Sequence, residues 1–227
     1  MNLNTLLFGI YPYVAMTVCF VGCWVRFDRE QYTWKAGSSQ LMRSRDMVVA
    51  SNLFHIGILF ILFGHLFGLL TPASIYHHVI STPDKQVLAM VSGGFFGLVC
   101  LAGLVLLIRR RATDPRVKAT GTRADMAVLI LLLIQLVLGL CTIFASAQHM
   151  DGSVMVLLAT WAQAIVTFRP TLAVEAISNV HIIYKLHVFF GLTLFLVVPF
   201  TRLVHVISAP VWYLGRRYQV VRKKTAW

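Results

Sequence analysis

Four of the eight histidines, His55, His65, His187 and His205, lie deep within long runs of Leu, Ile, Val and Phe. An ionisable side chain in such a run is costly to bury in lipid and points to function. Two histidines on each of two apolar runs are the set needed to bind two irons, each from both sides through imidazole nitrogen, as in a dihaem cytochrome. No CxxCH attachment motif accompanies them, so the haems would be held non-covalently, as b-type. Cys19, Cys23, Cys100 and Cys141 form no CxxC pair and read as packing residues.

The elements that must position these side chains are membrane spans. Hydrophobic residues make up 58% of the 227 and charged residues 12%, and several windows exceed the length needed to cross a bilayer. Five spans are predicted: Asn4 to Trp24, Val48 to Leu70, Gln86 to Ile108, Asp125 to Ala145 and His181 to Ser208. All are expected to be helical, since hydrocarbon leaves no partner for an open backbone group. The short alternating segments of a membrane β-barrel are not visible. The fold class is therefore an all-α membrane protein, a five-transmembrane-helix bundle forming one domain over residues 1–227. The segment from Ser153 to Phe168 is apolar but interrupted by Trp161 and Gln163, and reads as a helix at the outer interface within a long loop.

Charge sets the orientation. Of the 20 Lys and Arg residues, 17 fall in the connections after spans one and three, at Arg202, or in the tail; only Lys85, Arg169 and Lys185 do not. The positive-inside rule makes that side cytoplasmic, with the N-terminus outside and the C-terminus inside. The net charge of +12 suits anionic headgroups or an acidic soluble partner, and residues 209–227 read as a basic cytoplasmic tail for partner docking. No nucleic-acid motif accompanies the charge. All eight acidic residues lie in loops or at span ends, unlike the mid-membrane carboxylates of proton-coupled carriers.

Antiparallel spans then match histidines by depth. His55 is nearer the cytoplasm and His65 about 15 Å further out, while His187 is outer and His205 about 27 Å inward on a continuous helix. The pairing expected is His55 with His205 and His65 with His187. A spacing of 18 residues, five whole turns, puts His187 and His205 on one face. Gly57, Gly64, Gly68 and Gly191 read as room for a flat macrocycle or a neighbouring helix. Gln135 is the one strong amide in span four and reads as a helix contact. His181 competes with His187 but sits at headgroup depth, and His77, His78 and His149 belong to outer loops. Arg202, one turn before His205, and Arg109, Arg110 and Arg111 are candidate partners for the inner haem's propionates. Lys85, at the start of span three, lies close in depth to His65, where a cation serves either as an interfacial anchor or to stabilise negative charge developing on a bound oxygen.

Several stretches carry a family resemblance: Ile10-Tyr11-Pro12-Tyr13, Gln31-Tyr32-Thr33-Trp34, Ala50-Ser51-Asn52-Leu53-Phe54-His55-Ile56-Gly57-Ile58-Leu59, Gly64-His65, Ser146-Ala147-Gln148-His149-Met150-Asp151-Gly152 and Arg202-Leu203-Val204-His205. Together they resemble the γ subunit of bacterial respiratory nitrate reductase over nearly the whole chain. The resemblance implies a multi-pass cytochrome b of the bacterial inner membrane with two b-type haems. It implies oxidation of menaquinol or ubiquinol near the outer face, with protons released there. Electrons would pass through the outer and then the inner haem to a cytoplasmic iron–sulfur β subunit and a molybdenum-cofactor α subunit that reduces nitrate. The family's axial histidines fall on His55, His65, His187 and His205, and its quinol site on Gly64, His65 and Lys85. The other classes considered are a related dihaem cytochrome b subunit serving a sulfur-compound reductase, a small transporter and a non-redox membrane anchor.

Overall fold

The computed structural model describes residues 2–30, 32, 34, 45–208 and 215. Lys35, Arg43 and the basic residues of the tail lie outside the described residues. Among those described, every regular element is helical. Five helices are long and apolar enough to cross a membrane: α1 (Thr5–Arg29), α2 (Arg45–Leu70), α4 (Thr82–Thr113), α6 (Arg123–Ser146) and α9, which with its terminal turn spans Ile182–Phe200. Short helices join them: α3 (Ala73–Tyr76), α5 (Pro115–Thr120), α7 (Ser153–Val166) and α8 (Pro170–Ser178).

Local chemistry places the helix starts. Ser81 Oγ accepts from Asp84 N at 3.3 Å to open α4, with Pro83 in the first turn. Thr122 and Asp125 form a reciprocal capping box at α6, with Asp125 N donating to Thr122 Oγ1 at 3.3 Å and Thr122 N to Asp125 Oδ2 at 2.9 Å. Gly152, at φ 80°, turns the chain into α7. The neighbouring Asp151 accepts from the hydroxyl and the N–H of Ser153, which hold its carboxyl below the usual range.

Two larger cores stabilise the bundle, beside a small cluster of Cys19, Cys23 and Val198. In one, Phe8 and Ala15 of α1 pack with Trp161 and Ile165 of α7, Ala173 and Ile177 of α8, and Tyr184 and Leu192 of α9. In the other, Cys100 and Leu104 of α4 pack with Leu129 and Leu136 of α6 and partly buried residues of α2. The longest interface is α2 on α4, and small residues permit it. A Cβ at Gly57 would lie 2.6 Å from Cys100 Cβ, and one at Gly103 would run into the backbone of Phe54. Phe20, Phe63, Phe67, Phe95 and Phe144 are exposed outside these cores, as a lipid-facing surface requires.

One expectation needs correction. Span five is not one helix from His181 to Ser208. The α-helix ends at Val197, a 3-10 turn covers Val198–Phe200, Thr201 is extended (φ −133°, ψ 174°), and a second 3-10 turn covers Arg202–Val206. Pro199 has no N–H to continue the ladder, and its carbonyl instead accepts from Arg26 Nη1 at 2.5 Å. His187 and His205 therefore do not share a face of a straight helix. Among the glycines expected to make room, Gly57 admits the neighbouring α4 and Gly191 the Gln135 amide of α6, while Gly64 and Gly68 are the open positions of that set. The segment expected as a helix within the long loop is α7, and it packs on its neighbours: Trp161 Nε1 donates to Phe8 O at 3.0 Å, and Gln163 Nε2 to Leu69 O at 2.9 Å. The two residues that interrupt its apolar run bind the ends of α1 and α2. Its 14 residues span only about 21 Å, against about 30 Å of hydrocarbon.

Candidate functional site

The structure brings the four histidines together in two pairs, both between α2 and the chain of α9. His55 faces His205 with ring centroids 6.2 Å apart, and His65 faces His187 at 5.9 Å. An imidazole nitrogen binds a metal at about 2 Å, so two imidazoles on opposite sides of one iron have centroids roughly 6 Å apart. Both separations match that requirement. Among the described residues no group of three or more His, Cys, Asp or Glu gathers to hold a metal ion. A pair suffices only where another group supplies the remaining donors, as the four nitrogens of a porphyrin do.

The second ring nitrogen is accounted for in three of the four. His55 Nδ1 lies 2.7 Å from Ser51 O, His65 Nδ1 2.8 Å from Ile61 O, and His205 Nδ1 2.7 Å from Arg202 O. A carbonyl only accepts, so each Nδ1 carries the proton and each Nε2 keeps its lone pair for a metal. The hydroxyl of Ser51 adds a contact to His55 Nδ1 at 3.2 Å. His187 differs, because its Nδ1 is buried without a partner.

Beyond His65, the last turns of α2 meet the start of α4. Lys85 Nζ donates to Gly68 O at 2.9 Å and lies 3.7 Å from the centre of the Tyr76 ring. A ring face beside an ammonium stabilises its charge. Thr82 Oγ1 accepts from or donates to Tyr76 Oη at 3.1 Å and His77 Nε2 at 2.9 Å, closing this corner. Gly64 opens onto a shallow apolar groove with Ile56, Leu59, Phe60, Phe63 and Phe67. Gly64 and His65 precede Gly68, whose carbonyl Lys85 contacts, by about one turn of α2. His181 caps α9, its Nδ1 accepting from Ile183 N at 3.3 Å.

At the other end Asp125 receives two arginines, Arg111 Nη1 at 3.0 Å and Arg202 Nε at 3.5 Å. Arg111 is 8% exposed although it carries a charge, and one carboxylate against two guanidiniums leaves a net positive site. Since Arg202 O accepts from His205 Nδ1, the ion pair tethers the turn that carries His205. Arg109 and Arg110 close the same end of α4, and Arg109 O accepts from Thr113 Oγ1 at 2.9 Å.

Sequence reasoning missed Ser51, Tyr76 and Asp125 as partners of these residues. Ser51 stands four before His55, a spacing that puts it one helical turn away, and Thr122 three before Asp125 signals a capping box. Nothing local signals Tyr76, which meets Lys85 only because α3 folds back.

Fold and composition define an integral membrane protein whose apolar helices hold paired histidines and a net basic cluster at one end. Its sequence matches the family described as nitrate reductase gamma subunit over residues 4–224. It is 52% identical over 222 residues to the respiratory nitrate reductase 2 gamma chain and to the respiratory nitrate reductase 1 gamma chain of Escherichia coli (strain K12), covering 98% of both chains in each case. It is 34% identical to the nitrate reductase gamma chain of Bacillus subtilis (strain 168), across 97% of this chain and 98% of that one. The chain belongs to the nitrate reductase gamma subunit family and is a membrane-anchoring subunit of a nitrate reductase.

Proposed function

We propose that this subunit oxidises membrane quinol and conducts electrons across the bilayer to cytoplasmic partners, an iron–sulfur β subunit and a molybdenum-cofactor α subunit that reduces nitrate. The observation carrying the reading is the two histidine pairs at 6.2 and 5.9 Å, with Nε2 free for a metal in three of the four rings. Two b-type haems, when bound, supply one-electron carriers at two depths of the membrane. His55 and His205 would hold the inner one, and His65 and His187 the outer one.

The remaining steps belong to side chains. Lys85, steadied by Gly68 O and the Tyr76 ring, offers a cation to a quinol oxygen near His65. The groove beside Gly64 suits an apolar quinol tail, of menaquinol or ubiquinol. Protons released there leave on the outer side, because the basic residues Arg26, Arg29, Arg111, Arg116 and Arg123 mark the opposite end as cytoplasmic. Arg111 and Arg202, with Arg109 and Arg110 on the adjoining turn, provide the positive charge that anionic propionates require. The basic tail, residues 209–227, is suited to docking the acidic face of a soluble subunit.

The test is a haem-to-protein ratio with a dithionite-reduced minus oxidised spectrum on the purified chain. Two b haems are expected in the native chain and one, the outer, in His205→Ala. No haem in the native chain despite haem supply overturns the reading, and loss of only the outer haem in His205→Ala overturns the pairing.

A further inference from the structure

The amide of Gln135, midway along α6, points at His187. Gln135 Nε2 lies 3.5 Å from His187 Nε2, while Gln135 Oε1 and His187 Nδ1 are both buried without a partner. The close approach is built into both helices by glycine. A Cβ at Gly139 would lie 2.9 Å from the His187 ring, and one at Gly191 would lie 3.1 Å from the Gln135 amide nitrogen. Two buried polar groups side by side, each missing a partner of the other's type, are costly unless they satisfy one another.

The other three paired histidines show what His187 lacks, an acceptor for the ring N–H opposite the ligating nitrogen. With the amide turned over, its oxygen can accept an N–H on His187 Nε2, which leaves the unpartnered Nδ1 as the nitrogen with a lone pair for a metal. Amide oxygen and nitrogen are nearly the same size, so this exchange requires no extra space. We propose that Gln135 is a positioning residue for His187: its carbonyl oxygen accepts the N–H on Nε2, setting the tautomer that leaves Nδ1 as the ligating nitrogen and fixing the orientation of the imidazole toward His65. This role rests on the dihaem reading above.

An acceptor on the distal ring nitrogen makes the imidazole more basic and favours the oxidised metal, and a carboxylate does so more strongly. The experiment is optical redox titration of the purified native chain with Gln135→Leu and Gln135→Glu, resolving both haems, together with haem content. Expected is a shift confined to the His65/His187 haem, upward in Gln135→Leu and downward in Gln135→Glu. A tenfold change in its one-electron equilibrium is about 59 mV. Loss of that haem alone in Gln135→Leu, with retention in the nearly isosteric Gln135→Glu, supports the same role. Unchanged potentials with two haems retained overturn it while leaving the dihaem reading intact. So does loss of both haems together in both variants, which marks Gln135 as a packing residue. A native chain without haem overturns the dihaem reading itself.

Discussion

At the residue scale, each histidine of the two pairs is useful only through what fixes its other nitrogen. On α2 the helix supplies this itself, because the carbonyl four residues back lies under the ring of His55 and of His65. His205 uses a carbonyl three residues back, within a tighter 3-10 turn. Lys85 is positioned differently, by a carbonyl of one helix and an aromatic face from the short α3. Under the proposed function, replacing Lys85 with Ala removes the cation assigned to charge developing on the quinol, so quinol turnover is expected to fall about 10²-fold. Both haems should remain. Steady-state quinol oxidation alongside the haem spectrum checks this, and unchanged turnover removes Lys85 from the site.

At the element scale, α2 depends on α4 for its position. Cys100, Gly57, Ala50 and Gly103 let the two backbones touch, and the histidines project on the side left toward α9. Enlarging that contact pushes α2 away from α4 and shifts both of its histidines together. Gly57→Leu is therefore expected to cost about 1–3 kcal/mol in stability and to impair both haem sites. Gly64→Ala, whose added Cβ meets nothing within 4 Å, leaves thermal stability unchanged. Thermal unfolding in detergent with haem content as a second readout distinguishes them; equal stability of the two variants would remove the α2/α4 contact as the positioning device. The break at Pro199 belongs to this scale as well, since it lets the turn bearing His205 leave the axis of α9 and be tethered by Asp125.

At the scale of the whole molecule, the two ends of the bundle differ in chemistry. One collects Arg26, Arg29, Arg111, Arg116, Arg123 and Arg202; the other carries α7, α8 and the corner holding Lys85. This asymmetry predicts orientation through the membrane potential and the anionic inner leaflet. A reporter that folds only in the cytoplasm is expected to be active when fused after Trp227, and a periplasmic phosphatase fused there inactive. The opposite pattern would invert the bundle and place the proposed quinol corner on the cytoplasmic side.

The sequence by itself determined that there are five spans and where their apolar runs lie, because hydrocarbon imposes length and composition on each helix independently of its neighbours. Histidines in two of those runs, and antiparallel order, were enough to match His55 with His205 and His65 with His187. Only the tertiary structure decided how the match is made. Composition cannot reveal that span five breaks at Pro199, that Gly57 serves α4, or that Trp161 and Gln163 bind the ends of α1 and α2. Nor does it pair Asp125 with Arg111 and Arg202, or set Gln135 against His187. The physical reason is common to all of these. A span's existence is a local balance between a helix and lipid, whereas the partner of a glycine, an amide or a buried charge depends on which other helix reaches it.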